Sequence, residues 1–156
     1  MRLKRLSFLL FILILILDCT LFIDRIRQPS RVKAGGIFRI RIDGHTVGES
    51  RDSGSDKAYF YLTLPVDWEI KDIHLTGSYS GNMLVQKTDF NDRSGYCTWM
   101  CTTITEFPYY PGAEFSVFIT VKTNDVRGWY NIKYLAGLAN NADAYWGPES
   151  LPIESY

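Results

Sequence analysis

The chain has 156 residues, with 17 basic and 17 acidic side chains and a formal net charge of zero at pH 7. A balanced, mixed surface argues against nucleic acid as a partner, which would want a basic face. The length suits a single domain with one well-buried core.

Met1-Arg2-Leu3-Lys4-Arg5 leads into Leu6–Leu17 (LSFLLFILILIL), twelve residues with no charge and one hydroxyl. A basic start before an apolar run of this length is the form of a secretory signal or a single membrane anchor. Everything beyond it is therefore expected outside the cytoplasm, periplasmic or at the cell surface, and secreted if the signal is cleaved. Three fates of the run stay open. A removed signal should present small residues just past the run, but Asp18-Cys19-Thr20-Leu21-Phe22-Ile23-Asp24 follows, and the first Ala or Gly is Ala34. A lipoprotein would carry its acyl chains on Cys19, although Asp18 stands where a small residue is normal. A retained helix of twelve residues spans about 18 Å, short of a hydrocarbon core of about 30 Å, and extension through Ile23 gives about 27 Å.

Arg2, Lys4 and Arg5 before the run face Arg25, Arg27, Arg31 and Lys33 after it, so charge bias alone is nearly neutral. The short tail and the large following domain place the amino terminus inside. Residues 1–23 are read as the signal or anchor, 24–34 as a stalk and first-strand entry, and 35–156 as the folded domain. Removing Arg2, Lys4, Arg5 and Asp18 from the 17 basic and 17 acidic residues leaves 14 and 16, a net charge of −2.

Ile37–Ile42 alternates, with Phe38, Ile40 and Ile42 on one face and Arg39 and Arg41 on the other, a half-buried strand. Asp43–Lys57 is polar and rich in Gly, Ser and Asp, which predicts a long exposed loop. Further strands are expected at Ala58–Leu64, Ile70–Thr76, Met83–Thr88, Tyr96–Ile104, Phe115–Val121 and Trp129–Leu135, with turn chemistry between them. From Ala136 the pattern fades, and Leu151-Pro152-Ile153 is a candidate final edge strand. Seven or eight short strands without helical periodicity beyond the amino terminus indicate an all-β, antiparallel sandwich. Aromatic residues make up 15% of the chain, and in such a fold most form core and cross-strand pairs.

Val32-Lys33-Ala34-Gly35-Gly36, Leu64-Pro65-Val66-Asp67-Trp68-Glu69-Ile70, Pro111-Gly112-Ala113-Glu114-Phe115 and Gly128-Trp129-Tyr130 resemble landmarks of bacterial immunoglobulin-like modules of the NEW3-like and CARDB-like adhesion and accessory type. The resemblance covers about residues 30–135. It implies an immunoglobulin-like sandwich with a binding or spacing role and no shared catalytic residues.

Cys97 and Cys101 (CTWMC) are the only cysteines of the exported part. A disulfide is the default outside the cytoplasm. In an extended strand, however, residues four apart lie about 13 Å from each other, whereas a bridge needs Cα atoms within about 7 Å. A turn would permit the bridge, and a strand would leave two small buried thiols with Trp99 between them. Zinc would need more ligands, and His45 and His74 sit in unrelated segments. Asp89, Asn91, Asp92 and Ser94 before Gly95 could offer oxygens to calcium but lack a distal bidentate Glu, so an ordinary solvated turn is the expected reading and no metal is expected.

Tyr145 and Trp146, beside Asn140, Asn141 and Asp143, form a polar and aromatic stretch suited to sugar stacking or a protein hot spot, unless Trp146 folds back to cap the sandwich. Tyr109-Tyr110 in the PYYPG turn is a second such place. No Gly-x-Ser-x-Gly elbow, phosphate-binding glycine loop or His-Glu-x-x-His motif occurs, so a non-enzyme without a cofactor is expected. Two roles compete. One is a membrane-tethered accessory or structural subunit docking a protein partner through Asp43–Lys57 and Asn140–Gly147. The other is a secreted or lipid-anchored carbohydrate-binding or adhesion module.

Overall fold

The computed structural model describes residues 20–48, 54–89, 94–139 and 141–156. The apolar run Leu6–Leu17 and Cys19 lie outside these residues, as do Asn91, Asp92 and Asn140. In chain order the strands are β1 (Thr20–Arg27), β2 (Arg31–Val32), β3 (Ile37–Val47), β4 (Gly54–Asp56), β5 (Ala58–Pro65) and β6 (Glu69–Gly77). They continue with β7 (Gly81–Lys87), β8 (Tyr96–Thr103), β9 (Phe107–Tyr109), β10 (Glu114–Lys122), β11 (Gly128–Leu138) and β12 (Asn141–Ser155). All seven strands expected between Ile37 and Leu135 are present. Among the described residues no helix is long and apolar enough to cross a membrane.

Ten of the strands are hydrogen-bonded in one continuous order, β1-β3-β10-β6-β7-β8-β5-β11-β12-β2, folded over so that its two halves pack face to face as sheets A and B. Sheet A runs β1-β3-β10-β6, and sheet B runs β8-β5-β11-β12-β2. Its β1-β3-β10-β6 order is the A-B-E-D order of immunoglobulin domains, and β5-β11-β12 is their C-F-G order. The addition is β7 and β8, inserted between the D-like and E-like strands. β8 lies beside β5, while β7 pairs with β8 and, through His74↔Asn82 and Leu75↔Gly81, with β6. At the other edge the chain leaves β1, crosses over and joins β12 in parallel as β2. Both sheets are thus tied at both edges. The two-stranded ribbon β4–β9 closes one end.

Alternation explains the core. Phe38, Ile40 and Ile42 of β3 and Phe115, Val117, Ile119 and Val121 of β10 face Phe60, Leu62 and Leu64 of β5 and Ile132, Tyr134 and Ala136 of β11, all buried. Each buried Val, Leu, Ile or Phe among them stabilises the fold by about 1.5–3 kcal/mol relative to exposure. Buried Trp68 fills one end, 5.7 Å from Phe38 and 5.2 Å from Tyr130 between ring centroids, and its Nε1 donates to Asn124 at 3.3 Å. Phe107 fills the other end, 6.0 Å from Phe115.

Four expectations need correction. Thr20–Ile23 is not membrane-spanning sequence. It is the start of β1, paired with Gly44–Val47, and Leu21 and Ile23 are buried among the core residues. The supposed stalk is the end of β1, a crossover and β2. Gln28 in that crossover donates to the Pro152 carbonyl at 3.0 Å and accepts from the Tyr134 hydroxyl. The polar loop is shorter than composition suggests, because β3 continues to Val47 with Gly44 and Thr46 inward and Asp43 and His45 outward. Finally, Asn140–Gly147 is mostly strand, not loop. β12 is fifteen residues long, and two register shifts against β11 break the alternation that would reveal it.

Cys97 and Cys101 are separate buried thiols, not a disulfide. β8 is extended through both, so they stand opposite Leu64 and Phe60 with Trp99 opposite Leu62 between them.

Candidate functional site

The outer face of sheet B carries the side chains that point away from the core: Tyr59, Tyr61 and Thr63 of β5, Thr98 and Met100 of β8, and Lys133 and Leu135 of β11. Tyr145 joins them from β12, opposite Gly137. Tyr61, Thr63, Thr98, Lys133, Leu135 and Tyr145 line an open concavity of about 520 Å³, to which Pro148 also contributes. Tyr59 and Tyr61 meet edge to face at 5.4 Å. The Tyr61 hydroxyl reaches Met100 Sδ at 3.3 Å, and the hydroxyls of Thr63 and Thr98 are 2.9 Å apart. Burial, with Tyr61 and Tyr145 adding to it, raises the pKa of the Tyr59 phenol above its ordinary value, so it stays a protonated donor at neutral pH. Gly137 makes room for this ring, since a Cβ there would meet the Tyr59 hydroxyl and lie 3.1 Å from its ring edge.

Tyr145 is 51% exposed and presents its ring at the rim of this concavity. Trp146, the next residue, turns the other way. It is half-buried and packs on the core beside Ile23 and Ile42. The pair thus divides into one surface ring and one structural ring. Tyr110 is 50% exposed at the end of the sandwich, its hydroxyl 3.3 Å from Ser78 Oγ. The side chains of Tyr109, Asn141 and Asp143 lie outside the described part. Asp89 is an exposed residue just past β7. Among the described residues no group of three or more His, Cys, Asp or Glu side chains is placed to hold a metal ion.

The outer face of sheet A is charged: alternation along β3 places Arg39 and Arg41 on it, while Asp24, Arg27, His74 and Ser116 reach it only through strand pairing. Asp43 accepts from Arg41 Nε and Ser116 Oγ, each at 2.6 Å, with Arg27 at 3.6 Å. Burial of Asp43 opposes ionisation. The hydrogen bonds from Ser116 and Arg41 and the charges of Arg41 and Arg27 outweigh it and hold the carboxyl below its usual range. His45 Nδ1 lies 3.0 Å from Asp24 on β1. Phe118 is flanked by the Arg41 guanidinium at 5.3 Å and a parallel His74 ring at 5.1 Å. Both histidines therefore stand on one face, which only strand order brings about. The Ser116 hydroxyl is directed to a carboxylate and not to an imidazole, so the cluster lacks a nucleophile–base pair. Its charges are matched between β1 and β3, and Ser116 of β10 adds a hydrogen bond to Asp43, which suits cross-strand stapling.

No family model matches the sequence, and no curated protein does. Among solved structures, that of AvmM, which catalyses macrocyclization in alchivemycin A biosynthesis, superposes with a TM-score of 0.58 at 9% identity over 86% of this chain and 88% of its own. A cohesin module from a Clostridium perfringens family 33 glycoside hydrolase gives 0.46 at 12% identity, covering 84% of this chain and 92% of the module. The collagen-binding domain of a Staphylococcus aureus adhesin gives 0.40 at 12% identity, covering 84% and 96%. At 9% identity the first likeness is one of fold alone, and the other two are looser still.

Proposed function

We propose that the chain is a non-catalytic, extracytoplasmic module that is held at a membrane through its amino-terminal segment and docks a protein partner as an accessory or structural subunit. The observation that carries the docking role is the outer face of sheet B, where exposed Tyr145 stands beside Tyr59, Tyr61 and an open concavity. Tyrosines supply large contact area with a polar tip at small entropic cost, the chemistry of interface hot spots. The basic and apolar amino terminus supports the address. Within it, Cys19 is the position a lipid anchor would use. The NEW3-like and CARDB-like landmarks in the sequence agree with a binding or spacing role.

The test replaces Met1–Leu17 by a cleavable signal while keeping Thr20–Ile23, which the core needs. Partners that co-purify with the native chain should be lost from the membrane fraction, and Tyr145→Ala should weaken the same association. Unchanged complex composition in both variants would remove the proposal. A second reading, a carbohydrate-binding or adhesion module, is favoured by the threonine hydroxyls beside the Tyr61 and Tyr145 rings. Glycan-array binding that is abolished by Tyr145→Ala but retained by Trp146→Phe would select it.

A further inference from the structure

We propose that one end of the sandwich, the end holding the start of β1, Tyr110 and Ile104, lies directly on a lipid surface. This rests on the tethered reading above and adds an orientation to it. The apolar run ends at Leu17 and β1 begins at Thr20. Three residue steps reach at most about 10–11 Å, while the headgroup layer on each side of a bilayer is about 5–8 Å thick. Whatever path the intervening residues take, Thr20 of a tethered chain stays in or at the edge of that layer.

No slack can come from β1 itself. Thr20 is paired with Val47 and Leu21 with Thr46, and Leu21 has no solvent exposure. Peeling β1 away to lengthen the tether would uncover Leu21 and Ile23 at about 1.5–3 kcal/mol each. The fold therefore acts as a stop that fixes how far the domain can stand from the membrane.

The side chains at this level suit the site. Thr46, opposite Leu21, donates its hydroxyl to the Tyr110 carbonyl, and Gly112 N donates to the Thr46 carbonyl at 2.8 Å. These bonds hold the Tyr110 turn beside the start of β1 with the ring half exposed. Ile104, between β8 and β9, is 47% exposed, and Phe22, two residues into β1, is 46% exposed. Tyrosine is enriched where a membrane meets water, and exposed apolar side chains beside it can bury themselves in the headgroup boundary. The opposite end, with Val66, Val126 and Trp129 exposed, is about 33 Å away along the ten steps of β3 from Val47 to Ile37. It lies beyond the reach of lipid.

The full chain is reconstituted in phosphatidylcholine–phosphatidylglycerol vesicles, with and without lipids brominated near the headgroup, and tryptophan emission is compared with wild type. Tyr110→Trp should add emission that the brominated lipid removes, and Val126→Trp should add emission that it leaves intact. Ile104→Trp, in the neighbouring loop, serves as a second reporter if Tyr110→Trp does not fold. Flotation with the vesicles but no quenching at either near-end position would keep the tether and overturn the docking. Quenching of Val126→Trp in place of the near-end reporters would reverse the orientation and overturn it as well. A chain that does not float with vesicles would sink both the tether and the docking.

Discussion

Cys101 stands on β8 opposite Phe60, cut off from solvent, and burial pushes its thiol up to about 12. In the unfolded chain the thiol ionises near its ordinary value of 9.0. Between those two values the unfolded state releases a proton that the folded state keeps, so stability falls as pH rises. It does so by about 1.4 kcal/mol per pH unit for this one group. Burial, assisted by the charge of Glu149, raises Tyr134 in the same sense, which steepens the loss above about pH 10. Urea midpoints measured at pH 8 and pH 10 should therefore separate, with Cys101→Ala flattening the difference below pH 10. A pH-independent midpoint in the native chain would show that Cys101 is reached by solvent. Chemical labelling offers a second readout, because both thiols should react with an aqueous thiol reagent only after denaturation.

β1 is the element on which sequence and structure differ most. Its apolar residues read as the tail of a hydrophobic run, since Leu21, Phe22 and Ile23 follow Leu17 after only three residues. Pairing with β3 decides otherwise, because Leu21 and Ile23 alternate into the core while Phe22 faces out beside His45. Leu21→Ala should cost about 2–5 kcal/mol of stability in urea. A membrane-segment role would leave the urea midpoint unmoved. β12 was hidden for a different reason. Its two register shifts against β11 break the period of two, so Tyr145 and Trp146 read as a loop although they are adjacent strand residues on opposite faces. The strands with clean alternation, β3, β5 and β10, were legible because half-burial imposes that pattern directly on composition.

At the scale of the molecule, the two sheets are joined twice, by β7 at one edge and by the β1–β2 crossover at the other. Neither sheet can open without disturbing the other, and the domain should unfold in one cooperative step. Near-ultraviolet and far-ultraviolet circular dichroism should then give coincident urea transitions, and separated transitions would mean that one sheet melts alone. Its ends are unlike. One holds the start of β1 with Tyr110, and the other exposes Val66, Val126 and Trp129, so a tethered molecule would present the second end outward.

By itself the sequence determined the sandwich class, seven of the strands and the inward faces of β3, β5 and β10, because these follow from local alternation and turn chemistry. It also carries the basic start and apolar run of the first seventeen residues, on which the proposed tether rests. Tertiary structure alone decided that Thr20–Ile23 belongs to the domain, that Cys97 and Cys101 stay apart, and that His45 and His74 share one face. It alone separated exposed Tyr145 from inward-turned Trp146. Each of these depends on which strands become neighbours and in what register, and pairing between distant segments leaves no periodic mark on the chain.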